Sequence, residues 1–171
     1  DISKPVEIAL HSGTKAQETI KNDPRKVFKG RSDKKENHWM QAVGKAFIPK
    51  FGDKDNGGNC STSLVTEKSG VDANIIVLAG HCLRKWFKNG QTSNEAEVTF
   101  TTLDGVKVKR KFSGSDVILR KYSTDYDDYA IVKLDRPISR NVIKPLIASN
   151  QPLSDVMNQN SNVQLMSAGY H

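Results

Sequence analysis

The chain has 171 residues, enough for one domain or for one β-barrel with extensions, so disulfides are not required for it to fold. Its 26 Lys and Arg residues exceed its 19 Asp and Glu residues, and the formal net charge of +7 raises the question of an anionic partner. The longest apolar run, residues 73–80, is far shorter than the roughly 20 residues of a membrane-spanning helix. We therefore expect no membrane partner.

The predicted elements change in character along the chain. Residues 1–26 form a polar extension, whereas from residue 39 onward short β-branched runs alternate with clusters of Gly, Asn, Asp and Ser. This pattern is typical of strands joined by turns and predicts an all-β barrel or sandwich. We predict strands at 40–48, 61–66, 74–79, 95–101, 106–112, 116–120, 129–134 and 163–168, and turns at 55–58, 69–70, 89–90 and 104–105. Residues 135–162 are rich in Pro, Asn and Gln, which indicates a surface connector.

The densest basic cluster is KVKRK, residues 107–111. On a strand, Lys107, Lys109 and Lys111 point to one side, and Val106, Val108 and Arg110 point to the other. The cluster therefore resembles a solvated strand face beside a half-buried one. For this reason we do not expect a nucleic-acid partner.

A histidine and an aspartate stand at the ends of apolar runs. In NIIVLAGHC, residues 74–82, a buried strand leads into the small residues Ala79 and Gly80 and delivers His81 at the strand end. In DYAIVKLDRP, Asp128 stands directly before an apolar strand. A poorly solvated carboxylate needs a hydrogen-bond donor. The N–H of an imidazole is a donor whose pairing with a carboxylate can serve catalysis. Asp127 is the alternative carboxylate, but Asp128 fits the frame of the following apolar residues better.

Cys60 and Cys82 are the two cysteines, and they show no CxxC motif and no Cys/His ligand spacing. The pair indicates one disulfide rather than two free thiols, and so a secreted or periplasmic protein. A zinc site would need His81 together with other histidines whose spacing fits no ligand motif, namely His11, His38 and His171. We expect no metal and no cofactor.

These segments resemble the chymotrypsin-like serine proteases, and among them the V8-like, or glutamyl endopeptidase, branch. The matching motifs are CSTSLV from Cys60, VLAGHC ending at Cys82, and DYAIVKL from Asp128. Two further stretches are similar to the start of mature V8-like enzymes (residues 27–46) and to the connector and first strand of their second barrel (VIKPLIASN and VQLMSAGY). The resemblance covers roughly residues 27–170.

The resemblance implies a chymotrypsin-like antiparallel β-barrel, the first of two, in residues 27–134. It implies an N-terminal extension or propeptide in residues 1–26, removed by cleavage between Lys26 and Val27, and an inter-barrel connector with the first strand of the second barrel in residues 135–171. In such a protease His81 is the general base, Asp128 orients it, and Cys60 is bridged to Cys82. The substrate is a protein or peptide.

The sequence departs from the family pattern in two places. TEKSGVD, residues 66–72, is an insertion, and no stretch matches the Gly-Asp-Ser-Gly-Gly motif that carries the family's nucleophile. We therefore expect a serine endopeptidase whose serine, oxyanion hole and specificity pocket come from a separate or missing C-terminal chain. The alternatives are a catalytically inactive protease-like interaction module and a basic domain that binds anionic polymers.

Overall fold

The β-branched runs of the sequence fold into strands of one mainly antiparallel sheet, so the chain is all-β with a few short helices. A computed structural model describes residues 35–50, 53–88, 90, 94–123, 127–159 and 169. The strands are β1 (Val43–Lys50), β2 (Asp53–Thr66), β3 (Ala73–Leu78), β4 (Glu95–Thr101), β5 (Lys107–Ser113), β6 (Val117–Tyr122), β7 (Asp128–Ile138) and β8 (Leu146–Ile147). The helices are α1 (Arg84–Lys88), α2 (Leu153–Gln159) and the 3₁₀ helices Lys35–Ala42, Gly80–Leu83 and Gly114–Asp116. None of the helices in these ranges is long and apolar enough to cross a membrane.

The sheet curls because its two end strands are neighbours in the chain. The strand order is β5-β4-β1-β2-β3-β7-β6, with β8 pairing in parallel with β2. Only the turn Gly114–Asp116 separates β5 from β6, and Asp116 caps it by accepting the amide N–H of Ser113 at 2.7 Å. The continuous segment β5–turn–β6 therefore pairs with β4 through β5 and with β7 through β6. The sheet bends back on itself in the manner of a barrel.

The core lies on the inner face of this sheet, and the alternation of buried and less buried side chains is clearest in β4, where Ala96, Val98 and Phe100 are buried. Trp86 is the largest fully buried side chain, packing on Phe112 with ring centroids 5.8 Å apart. Its indole N–H donates to the carbonyl oxygen of Pro49 at 3.1 Å, so this buried polar group has a hydrogen-bond partner. Trp86 thus fixes α1, the helix directly after His81, onto the barrel.

Each strand predicted between residues 40 and 134 has an observed counterpart, and β4 has the predicted bounds. The turns predicted at 69–70 and 104–105 are supported by glycines with positive φ, at Gly70 and Gly105; of the turn predicted at 89–90 the structure describes Gly90, whose φ is also positive. The turn predicted at 55–58 is wrong, because those residues belong to β2. Pro49 pairs with Gly57 but Lys50 pairs with Asp53, so the intervening residues form an irregularity within the ladder.

The connector begins later than residue 135, because β7 continues to Ile138, which pairs with Ala73 of β3. Pro137 lies in an irregular stretch of β7, because the register with β3 shifts between the pairs Ile75–Lys133 and Ala73–Ile138 and the pairing with β6 ends at Val117–Val132. A proline is tolerated at such an irregularity because the ladder does not need its missing N–H there. Further on, the backbone N–H of Arg140 donates to Asp72 at 3.0 Å, and its side chain donates to the carbonyl of Gly70. The segment after β7 is thereby fastened to the loop that precedes β3.

The alternation predicted for the basic cluster is confirmed in β5, where Lys107, Lys109 and Lys111 are exposed while Val108 and Arg110 are half-buried. Val106 is the exception, since it precedes the strand and is 57% exposed. The N-terminal extension 1–26, the predicted cleavage site between Lys26 and Val27, and the predicted strand 163–168 lie outside the described residues.

Candidate active site

His81 lies in a 3₁₀ turn directly after β3, which ends at Leu78. The preceding Gly80 is required by space rather than by backbone angle. A Cβ atom at this position would overlap the carbonyl oxygen of Lys121 and would lie 2.9 Å from that of Tyr129. The absence of a side chain at residue 80 therefore lets the histidine turn pack against both β6 and β7.

A disulfide anchors the same turn from the other side. Cys82, the residue after His81, is bonded to Cys60 of β2, with the two Cα atoms 6.5 Å apart. Both cysteines are partly buried and pack against the hydrophobic core. The imidazole is thus carried by a turn that is covalently tied to the sheet.

Asp128 is the first residue of β7, and antiparallel pairing brings it to His81. Leu78 at the end of β3 pairs with Ala130 of β7, so the residue that begins β7 meets the turn that follows β3. Oδ2 of Asp128 lies 2.6 Å from Nδ1 of His81, and Oδ1 accepts the backbone N–H of His81 at 2.7 Å. The carboxylate of Asp128 thus hydrogen-bonds to both the ring and the backbone of His81, which fixes the orientation of the imidazole.

The hydrogen bond from the His81 side chain lowers the pKa of Asp128, an effect that partial burial opposes and the backbone N–H groups reinforce. Asp128 is therefore ionised at neutral pH, and an ionised carboxylate can only accept hydrogen bonds. In the neutral imidazole the proton must then reside on Nδ1, which leaves the lone pair on Nε2. The side chain of His81 is 56% exposed, and its one hydrogen-bond partner among the described residues is Asp128, at Nδ1.

The structure pairs His81 with Asp128 and not with Asp127. The carboxylate of Asp127 lies 3.7 Å from Nζ of Lys121, and the backbone N–H of Asp127 donates to the hydroxyl of Ser123 at 3.3 Å. Asp127 precedes β7, which begins at Asp128, and its partners come from Lys121 at the end of β6 and from Ser123 just after it.

The other histidines do not join this site in the part of the chain that the structure describes. His38 belongs to the 3₁₀ helix Lys35–Ala42 and lies 3.2 Å from the side-chain amide of Gln41, while His11 and His171 are outside the described residues. No three His, Cys, Asp or Glu side chains come together as a metal site within the described ranges.

Sequence reasoning missed the residues that flank the dyad, Arg84 and Tyr122. The guanidinium of Arg84 lies 5.4 Å from the ring centroid of Tyr122, whose Cα pairs with that of Asp128. A second stack places the guanidinium of Arg120 4.5 Å from the ring centroid of Phe87. The available signal was the mixture of basic and aromatic residues in RKWFK (84–88) and RKY (120–122), but only the fold shows that the two segments face each other.

No protein-family model matches the chain, and a search of curated proteins finds no significant similarity. Fold and site together define an all-β chain with a disulfide-anchored histidine held by an ionised aspartate. Such a dyad can accept a proton at Nε2 and stabilise the imidazolium that results.

Proposed function

We propose that this chain is the histidine- and aspartate-bearing part of a chymotrypsin-like serine endopeptidase. The observation that carries the proposal is the double hydrogen bond from Asp128 to the ring and the backbone N–H of His81. A solvated surface ion pair would need neither the second bond nor the anchoring disulfide. The same arrangement supplies what a weak serine nucleophile requires, a base of fixed tautomer on a rigid element.

In this mechanism Nε2 of His81 takes the proton of a serine hydroxyl as the oxygen attacks the scissile carbonyl carbon. The imidazolium is stabilised by Asp128 and then gives the proton to the leaving amine, which releases the first product. Water repeats the sequence on the acyl-enzyme, with His81 again the base. Asp128 keeps its negative charge throughout and acts through orientation and electrostatics.

The serine, the oxyanion hole and the specificity pocket are proposed to come from a separate or missing C-terminal part of the protease. Among the described residues the side chain of His81 hydrogen-bonds to Asp128 alone, and the 171 residues hold no Gly-Asp-Ser-Gly-Gly motif. The active site then lies in a cleft with His81 and Asp128 on one wall. Because the chain contains a disulfide, we place this protease outside the cytoplasm, as a secreted or periplasmic protein.

The test is hydrolysis of fluorogenic casein by this chain alone and by this chain combined with a C-terminal chain that carries the serine. We expect activity only for the combination, and loss of that activity in His81→Ala but not in the matched control His38→Ala. Equal activity of His81→Ala and wild type would contradict the proposal. Inactivity of the combination, with both chains folded and bound, would favour a protease-like interaction module instead.

A further inference from the structure

The two end strands of the sheet differ in how their open edges are covered. At the end strand β5, the guanidinium of Arg110 donates to the carbonyl oxygens of Arg136 and Pro137 at 3.2 and 2.9 Å. The backbone N–H of Lys111 donates to a carboxylate oxygen of Asp135 at 2.9 Å, so β7 covers this edge. β6, the other end strand, pairs with β7 on one side, and no further strand in the described ranges pairs with it. The edge of β6 that faces away from β7 is therefore open to an additional strand.

β6 also carries apolar side chains that the fold leaves exposed. The exposed fraction is 61% for Ile118, 42% for Leu119 and 37% for Tyr122. Ile118 and Leu119 lie at the register shift in the pairing with β7, and Tyr122 ends the strand. An open backbone edge beside exposed apolar side chains is a template on which an extended apolar segment can pair.

A second copy of the chain is a poor occupant of this edge. Two β6 strands paired along their length about a two-fold axis would bring Arg120 and Lys121 of one copy close to those of the other. Like charges on neighbouring strands destabilise the pairing, and each copy also carries a formal net charge of +7. The edge is better suited to an apolar segment without cations.

The N-terminal extension, which lies outside the described residues, contains a run of this kind. In PVEIAL, residues 5–10, the aliphatic residues Val6, Ile8 and Leu10 alternate with Glu7 and Ala9. On an extended strand the three aliphatic side chains share one face. The run has one acidic and no basic residue, and residues 11–34 contain no second alternation of this kind. Residues 5–10 therefore match the open edge of β6 in both apolar pattern and charge.

The chain between this run and the described fold is long enough to reach β6. About 25 residues separate residue 10 from Lys35, where the first described helix begins, and an extended chain spans about 3.3 Å per residue. A second apolar run outside the described ranges, residues 163–168, leads to Gly169. Gly169 lies against β2, since a Cβ atom there would be 2.9 Å from the hydroxyl oxygen of Ser61. Because β2 is three strands from β6, roughly 14 Å at the usual strand spacing, this position favours residues 5–10 as the occupant.

We propose that residues 5–10 pair with the open edge of β6 as an additional strand and cover its exposed apolar side chains. Cross-strand neighbours share a face of the sheet, so the aliphatic face of the run packs beside Ile118 or Leu119, and Glu7 lies on the opposite face. The backbone of the run pairs with the N–H and C=O groups of β6 that face away from β7. The extension thereby closes an edge on which chains could otherwise associate with one another. The pairing does not depend on the proposed peptidase function, because it involves no catalytic step.

Amide hydrogen exchange of the full chain, resolved residue by residue by NMR, tests this pairing. Residues 117–122 are compared in wild type, in Ile8→Asp and in the matched control Ala9→Asp, which adds the same charge to the other face of the run. We expect the amides of β6 that face away from β7 to be protected in wild type, to exchange about tenfold faster in Ile8→Asp and to change less than about twofold in Ala9→Asp. The amides of β4, which is paired with β1 on one side and β5 on the other, report whether the sheet is folded in each variant. Methyl NOEs in wild type between residues 6, 8 or 10 and Ile118 or Leu119 identify the contact without any substitution.

Rapid exchange of the outward-facing amides of β6 in wild type would overturn the proposal, and so would equal acceleration by the two variants. Protection that grows with protein concentration would assign the edge to a second copy, and NOEs from residues 163–168 would assign it to that run, so either result would also overturn it. Because the measurement involves no catalysis, its outcome is separable from the proposed function. Protected β6 amides with no casein hydrolysis would count against the peptidase alone, and hydrolysis with unprotected β6 amides would count against the pairing alone.

Discussion

Removal of the Cys60–Cys82 bond by the double substitution Cys60→Ala/Cys82→Ala tests how the histidine turn is anchored. The bond joins residues 22 positions apart, and the chain-entropy relation for a loop of this length gives a stabilisation of about 3 kcal/mol. Since whole domains are stable by about 5–15 kcal/mol, this loss is a large share of the total. Urea unfolding followed by the fluorescence of the buried Trp86 measures it directly.

The wild-type chain in a strong reductant is the matched control, because it loses the bond without losing the sulfur atoms. We expect it to unfold with nearly the same free energy as the double variant. A loss below about 1 kcal/mol in both samples would refute the reasoning, since it would mean that the unfolded chain gains little freedom when the loop is opened. A loss confined to the double variant would show that packing of the cysteines, not the bond, stabilises the turn.

The remaining predictions concern the dyad and the chain start. In the proposed peptidase, completed by its C-terminal part, Asp128→Asn should lower turnover about 10⁴-fold by favouring the wrong histidine tautomer, with Asp127→Asn nearly silent; comparable losses in kcat for both would contradict the assignment. Gly80→Ala should reduce both thermal stability and activity, because the new Cβ would meet the backbone of Lys121 and Tyr129. The control Gly90→Ala lies in open space and strains only the left-handed backbone at residue 90. Equal activity losses in the two variants would contradict this prediction. The pKa of Asp128 is lower in the folded chain than the ~3.9 of an unfolded aspartate, so its ionisation stabilises the fold above that pH, and the stabilisation is lost as pH falls through the lower folded pKa. Wild type should therefore lose more stability than Asp128→Asn between about pH 5 and pH 2, as measured by urea unfolding. Parallel pH profiles of stability for the two proteins would contradict this prediction. Mass-spectrometric sequencing of the active enzyme should find Val27 first, after cleavage behind Lys26, and full activity with Asp1 attached would refute the propeptide assignment.

Strand positions were predictable where periodicity and turn chemistry agreed. β4 was predicted with its observed bounds because a clear two-residue alternation is flanked by polar segments on both sides. The start of β2 was missed because Asn56, Gly57 and Gly58 are typical turn residues, yet Gly57 and Gly58 pair with β1 and the irregularity in the ladder lies just before them. The end of β7 was missed because Pro137 suggests a strand end, and only the three-dimensional pairing shows that it lies where the register with β3 shifts.

The dyad followed from local sequence, whereas its surroundings did not. His81 and Asp128 each stand at the end of an apolar strand, so the pairing of β3 with β7 was enough to bring them together. The contacts of Arg84 with Tyr122 and of Arg120 with Phe87 depend on how α1 packs across β6. No periodicity in either segment specifies that packing, since it is set by the buried Trp86 and by the space at Gly80.

The most direct test of the account is labelling by a fluorophosphonate probe, which reacts only with an activated serine. The probe is applied to the chain combined with the proposed C-terminal part, and the labelled residue is located by mass spectrometry in wild type, His81→Ala and His38→Ala. The account predicts that a serine of the companion chain is labelled in wild type and in His38→Ala, that labelling is lost in His81→Ala, and that this chain is never modified. Labelling of any serine between Ser3 and Ser167, or labelling of the companion chain that persists in His81→Ala, would contradict the assignment of His81 as the base of a two-chain serine endopeptidase.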